Sequence, residues 1–121
     1  MRAFYSLLLI SLALFGLKVL GLHAFYNNNE MEKFRAAVVE SGYDVDQENE
    51  FGQSVLHLAT MHEKLDWITM LLALKANIDK EDSRHHWSPI VWAMSAGKYQ
   101  SFKLLKEKGA KMVKPTMNYF E

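Results

Sequence analysis

The chain predicts an all-α fold, a short solenoid of stacked helical hairpins, and three observations carry that expectation. Residues 52–113 repeat at an offset of 34, placing Ser54 on Ser88, Leu56 on Ile90, Leu58 on Trp92, Ala59 on Ala93, Ile68 on Phe102, Leu71 on Leu105, Ala76 on Ala110 and Ile78 on Met112. Self-similarity at such a period marks a repeat architecture. Within each copy, apolar residues recur at helical spacing in two short runs. Neither run pair carries enough apolar surface on one side to close a core by itself, so each copy needs a neighbour.

Residues 1–26, MRAFYSLLLISLALFGLKVLGLHAFY, come first. One cation, Arg2, precedes a 15-residue apolar run from Ala3 to Leu17, after which Lys18 intervenes. A membrane span needs about 20 apolar residues, so the run suits the core of a secretory signal, with Gly21 or Ala24 as cleavage positions. An uncleaved inner-membrane anchor, with Lys18 snorkelling to the interface, and an apolar helix packed on the repeats are the other readings. Asn27-Asn28-Asn29 then breaks the pattern. Asn29 with Glu32 forms a cap-and-return pair that predicts a helix to about Ser41, where Gly42 stops it. Phe34, Ala37 and Val38 mark its apolar side, and it reads as a capping helix.

The two full copies follow. Ser54 and Ser88 stand where a hydroxyl can accept from the first turn of a helix, and Pro89 suits the first helical position. The first helices end near Glu63 and at Gly97. The second carry Trp67, Ile68, Leu71 and Leu72, or Phe102, Leu104 and Leu105. Gly109 closes the last helix as a left-handed residue would, with Lys75 in the equivalent place. Beyond Met112, Lys114-Pro115-Thr116 breaks the period, and residues 117–121 form a tail. The domain plan is therefore 1–24 as signal peptide or anchor, 27–48 as an N-terminal capping half-repeat, 49–82 and 83–116 as full repeats, and 117–121 as the tail.

These residues resemble the ankyrin-repeat family. Gly52-Gln53-Ser54-Val55-Leu56-His57-Leu58-Ala59 is similar to the opening of its repeat, and Leu71-Leu72 with Ala76-Asn77-Ile78-Asp79 to its close. The second copy keeps Ser88-Pro89-Ile90, Ala93, Gly97, Leu104-Leu105 and Gly109-Ala110, with Val91 in place of the family's histidine. Upstream, Val38-Val39, Gly42 and Asp44-Val45-Asp46 look like the end of a repeat whose first helix is missing or degenerate. The resemblance implies an ankyrin-like solenoid of about two and a half repeats behind an N-terminal apolar helix. Glu63 and Lys75 replace turn glycines, at about 1 kcal/mol each if the left-handed geometry is kept. The 34-residue spacing implies one extra residue, placed within Ser83-Arg84-His85-His86-Trp87.

The formal net charge of zero conceals two opposed halves. From Asn27 to Asp82 there are 12 acidic against 5 basic residues, a net of −7, and from Ser83 to Glu121 there are 2 against 7, a net of +5. Such a polarity steers and orients a partner of opposite pattern, or is simply charge spread over solvated helix faces. The basic half has no phosphate-cradling loop and spreads its lysines along a terminal helix, which argues against nucleic acid. With no cysteine the chain has no disulfide, thiolate nucleophile or thiolate metal site.

Ser54 and His57, with Asp66 or Asp79 as a third member, have the types of a nucleophile, base and orienter. The family resemblance instead gives the hydroxyl a capping role and the histidine a link between repeats. His85-His86 with His62 is the one candidate metal cluster, but adjacent histidines point apart. No cofactor, metal or catalytic residue is expected, and the protein is not expected to be an enzyme. The resemblance implies a protein partner held by connector tips and the exposed side of each first helix. By position these are Glu50, Phe51, Gln53, Met61 and His62 in the first copy, and Arg84, His85, Trp87, Ser95 and Ala96 in the second. Small exported bacterial relatives include immunity proteins that mask a toxic effector enzyme. The expected role is thus a periplasmic binder or inhibitor of such a partner, the alternative being an inner-membrane scaffold that touches the membrane only through residues 1–24.

Overall fold

The computed structural model describes residues 21–112, which form six helices and no strand. They are α1 (His23–Asn27), α2 (Met31–Ser41), α3 (Val55–Met61), α4 (Leu65–Ala73), α5 (Pro89–Ser95) and α6 (Tyr99–Glu107). Most of the expected leader, residues 1–20, and the expected tail, residues 117–121, lie outside the described part. Among the described residues no helix is long and apolar enough to cross a membrane. The chain divides into two compact units, one up to Tyr43 and one from Asp44 onward.

Helix spacing follows from where the backbone turns left-handed. Asn29, Glu63 and Gly97 have φ of 56°, 52° and 69°, and each follows the first helix of a hairpin. Beyond each, an amide reaches back across the turn: Glu30 N–H to the Phe25 carbonyl at 2.8 Å, Lys64 to Ala59 at 2.9 Å, and Lys98 to Ala93 at 2.8 Å. Gly42, Lys75 and Gly109, with φ of 69°, 70° and 94°, close the second helices in the same way. There the amides of Tyr43, Ala76 and Ala110 reach Ala37, Leu71 and Leu105 at 3.1, 3.0 and 3.0 Å. These closures satisfy carbonyls that a helix end otherwise leaves bare.

In the first unit, α1 packs against α2 as a hairpin, with Leu22, Phe25, Tyr26, Phe34 and Ala37 buried. The upstream helix that the sequence left missing or degenerate is the five-residue α1. The expected cap-and-return pair does not form. Glu30 is the N-cap of α2, without a side-chain cap, because Asn29 is spent in the left-handed turn that ends α1. Asparagine tolerates that conformation better than most residues. Glu30 instead pairs with Lys33, one turn on.

In the second unit, hairpins α3–α4 and α5–α6 lie side by side, first helix on first helix and second on second. Leu56, Ile68, Leu71, Ile90 and Leu105 are at most 1% exposed, so the matched pairs Leu56–Ile90 and Leu71–Leu105 are buried, whereas Met112, matched to Ile78, is 52% exposed. Trp67 is buried in α4, and its counterpart in α6 is the small Ser101, whose hydroxyl donates to the Thr60 carbonyl of α3 at 2.7 Å. Carboxylates lace the connectors. Asp46 accepts from Asn77 N–H at 2.9 Å and Asp79 from Lys111 N–H at 2.9 Å, so each connector ties down the next.

The extra residue lies where the repeat spacing requires it. One connector is closed by Asn49 N–H on the Gln53 carbonyl at 2.9 Å, four residues on, the other by Asp82 N–H on the Trp87 carbonyl at 2.9 Å, five residues on. Gly52 and His86 hold matching left-handed positions at φ 74° and 58°. Glycine is needed at the first, since a Cβ there would lie 2.6 Å from the Ser83 Cβ.

Candidate functional site

Ser54 opens α3 with a reciprocal cap. Its hydroxyl accepts from His57 N–H at 3.4 Å, and its own N–H approaches His57 Nδ1 at 3.3 Å. With Nδ1 also 2.8 Å from Ser54 Oγ, that nitrogen is the acceptor, so Nε2 carries the proton and donates to the Trp87 carbonyl of the next connector at 3.0 Å. Burial holds the His57 pKa below its ordinary value, against the Trp87 carbonyl and the Asp82 charge, so the ring is neutral at pH 7. The Ser54–His57 distance would suit a nucleophile and base, but both groups are buried and spent on a helix cap and a link between hairpins. Neither Asp66 nor Asp79 completes a triad: Asp66 accepts from Trp67 N–H, and Asp79 from Lys111 N–H.

Asp82, which the sequence reading did not single out, organises the second connector. Its carboxylate is buried and accepts from Trp87 N–H at 2.8 Å, His85 N–H at 3.2 Å and His85 Nδ1 at 3.1 Å. Burial alone would raise its pKa. The donors from Trp87 and His85 outweigh that and keep the carboxyl below its usual range. The signal for it was present: Asn49 fills the same place one repeat earlier, accepting from the N–H groups of Phe51 and Gln53 at 2.9 Å each. An acceptor side chain at the mouth of a turn is what short Asx side chains provide.

Above this carboxylate the connector is built of rings. His85 lies 5.3 Å from Trp87 and 5.0 Å from Trp92, and Trp87 meets Trp92 edge-on at 4.8 Å. Such tilted and edge-on pairs are the favoured aromatic geometries. Arg84 lies over the Phe51 ring of the preceding connector at 5.3 Å.

The ten residues assigned to partner binding fall into two groups. Glu50, Phe51, His62, Arg84, His85, Ser95 and Ala96 are exposed, whereas Gln53, Met61 and Trp87 are half-buried. The connector tips Phe51 and Arg84 are brought into contact. Trp87 is packed among rings, so its role includes holding the connector's shape. His62 is the C-cap of α3, and among the described residues no group of three or more His, Asp or Glu side chains could hold a metal ion.

Known proteins bear on these features. Over 73 residues the chain is 32% identical to palmitoyltransferase ZDHHC13 of Homo sapiens and, equally, to that of Pongo abelii. The alignment takes in 60% of this chain but only 12% of each relative. The family model described as ankyrin repeats (3 copies) matches residues 20–116, in keeping with three hairpins closed by left-handed turns at Asn29, Glu63 and Gly97. The chain belongs to the ankyrin-repeat family, whose repeats indicate a module for protein–protein interaction.

Proposed function

We propose that the chain acts without chemistry of its own, by stoichiometric binding of one protein partner across the tips of its connectors and the C-terminal ends of α3 and α5, where His62, Met94 and Ser95 are exposed. The observation that carries this reading is the pairing of Phe51 and Arg84, exposed residues from successive connectors, the second of which is tied by hydrogen bonds from Trp87 and His85 to Asp82. A preformed aromatic and cationic tip costs little ordering entropy on binding. The transferase activity of the relatives belongs to proteins of which the match covers 12%, and this cysteine-free chain offers no thiolate to carry an acyl group.

In the fuller form of the proposal the chain is exported and masks a partner enzyme, as an immunity protein does. The short apolar run before Lys18 supports export. Of the two cleavage positions, Gly21 would leave α1 whole and Ala24 would remove its start, so the mature chain should begin at Leu22. Mass spectrometry of the native N-terminus checks this, and an intact Met1 would instead favour the anchored scaffold.

The absence of cysteine makes the face itself directly testable. A bulky uncharged thiol label on the single-cysteine variant Ser95→Cys should abolish co-purification of the native partner. The same label on Lys103→Cys, at an exposed position of α6, should leave it intact. Equal loss from both, or from neither, would remove the proposed face.

A further inference from the structure

We propose that Arg84, laid over Phe51, is a receptor for a carboxylate of the partner, so that the segment docked on the connector tips is acidic. The inference rests on the docking face proposed above and adds the chemistry of what it takes. A guanidinium presents five N–H donors in a planar fork matched to a carboxylate, and a place over a ring holds it by cation–π attraction without consuming the donors. Among the described residues Arg84 makes no ion pair, its recorded contact being the Phe51 ring at 5.3 Å.

Neighbouring carboxylates that could have neutralised it are engaged elsewhere. Glu48 accepts from Ser83 Oγ at 2.6 Å and pairs with Lys80 at 3.5 Å, and its pKa is lowered mainly by the Ser83 hydroxyl. Asp82 is turned inward, its oxygens taken by Trp87 and His85. Ser83 and His85, on either side of Arg84, are thus pinned while the guanidinium is left facing outward on its ring. Glu50 and Glu81 are exposed acids on the same connectors and disfavour approach from the first hairpin. From Ser83 to Met112, however, the sequence holds six bases and one acid, Glu107. An acidic segment is therefore attracted from the side of α5 and α6 and meets Arg84 at the boundary between the two charge halves.

The test uses the full chain and a displayed library of random-sequence peptides as the probe. Selected peptides should be enriched in Asp or Glu, and their affinity should fall about tenfold with Arg84→Gln, the loss of one bidentate charge-assisted pair. Arg84→Lys should recover only part of it, since the ammonium keeps the charge but not the fork. Phe51→Leu should weaken the same peptides by removing the platform, and unchanged thermal melting of each variant shows that the fold is intact. Peptides blocked by the label on Ser95→Cys yet lacking acids, or indifferent to Arg84→Gln, would overturn the carboxylate receptor and leave the docking face standing. Peptides unaffected by that label would overturn the face and the receptor together.

Discussion

The two hairpins of the second unit share a backbone plan but not a chemistry. Hairpin α3–α4 reaches forward at three places: His57 donates to the Trp87 carbonyl, Glu63 accepts from Gln100 N–H at 3.1 Å, and Asp79 accepts from Lys111 N–H. In hairpin α5–α6 the same positions are Val91, Gly97 and Val113, none with a polar side chain. The left-handed turns are reversed in the same sense, strained in the first hairpin at Glu63 and Lys75 and relaxed in the second at Gly97 and Gly109. At Glu63 a side chain that holds the following repeat is worth a strained turn, and its counterpart Gly97, without that duty, is the residue the backbone prefers. Ser88 shows the converse. With valine in place of histidine at position 91, its hydroxyl loses the partner Ser54 has and is left buried without a hydrogen bond among the described residues.

Breaking the forward reach should cost most at His57. His57→Ala leaves the Ser54 N–H unpaired in a buried site, takes from the Trp87 carbonyl one of its two donors, the other being Asp82 N–H, and opens a cavity, for an expected loss of about 3 kcal/mol. Val91→Ala, at the same place in the second hairpin, should cost closer to about 1.5 kcal/mol, since only apolar burial is lost. Urea unfolding of both variants checks the difference, and equal losses would show that the histidine acts as filler.

The same ring sets a pH dependence whose sign is fixed by its depressed pKa. The unfolded chain binds a proton to His57 near pH 6.5 while the folded chain resists it. This contribution is therefore complete above about pH 6.5 and declines as pH falls toward the folded value. Asp82, also depressed, contributes above its unfolded pKa near 3.8 and loses that contribution as pH falls through its folded value. Stability measured from pH 7 to 5 should fall in the wild type and fall less in His57→Ala.

Next in size is the contrast between glycines. Gly52→Ala adds a Cβ at 2.6 Å from the Ser83 Cβ on top of a left-handed φ of 74°, and should cost about 2 kcal/mol or more. Gly109→Ala meets nothing within 4 Å, so only the backbone term of about 1 kcal/mol remains. Thermal melting of the two variants separates steric from conformational cost.

How much of this could be read in advance turns on which residues advertise their geometry. The paired hairpins of the second unit were legible because Ser54, Pro89, Gly97 and Gly109 are the residue types their positions favour, and because the apolar offset is regular. The hairpin before them was half hidden. Its left-handed turn is made by Asn29, which also looks like a helix cap, and its first helix is only five residues long. Asp82 was hidden for another reason: its counterpart Asn49 stands 33 residues back, so the 34-residue offset does not align the two acceptors. A buried carboxylate is recognised by the donors around it, and those come from a loop carrying an extra residue whose path the sequence does not display. That Phe51 and Arg84 belong to successive connectors could be read from the repeat, but that Arg84 lies over the Phe51 ring, 33 residues away, is a fact of packing.

Lys75 and Glu63 allow a finer cut through the same comparison. Both are left-handed, but Glu63 returns a hydrogen bond to Gln100, whereas the Lys75 side chain is exposed and makes no hydrogen bond or ion pair among the described residues. Lys75→Gly should therefore stabilise the protein by about 0.5 to 1 kcal/mol, the strain relieved less the added freedom of the unfolded chain. Glu63→Gly should be close to neutral, because relief of the turn is offset by loss of the acceptor at the start of α6. Melting curves that rise equally for both would mean that the Glu63 to Gln100 bond contributes nothing, and the account of why the first hairpin keeps its strained turn would fail.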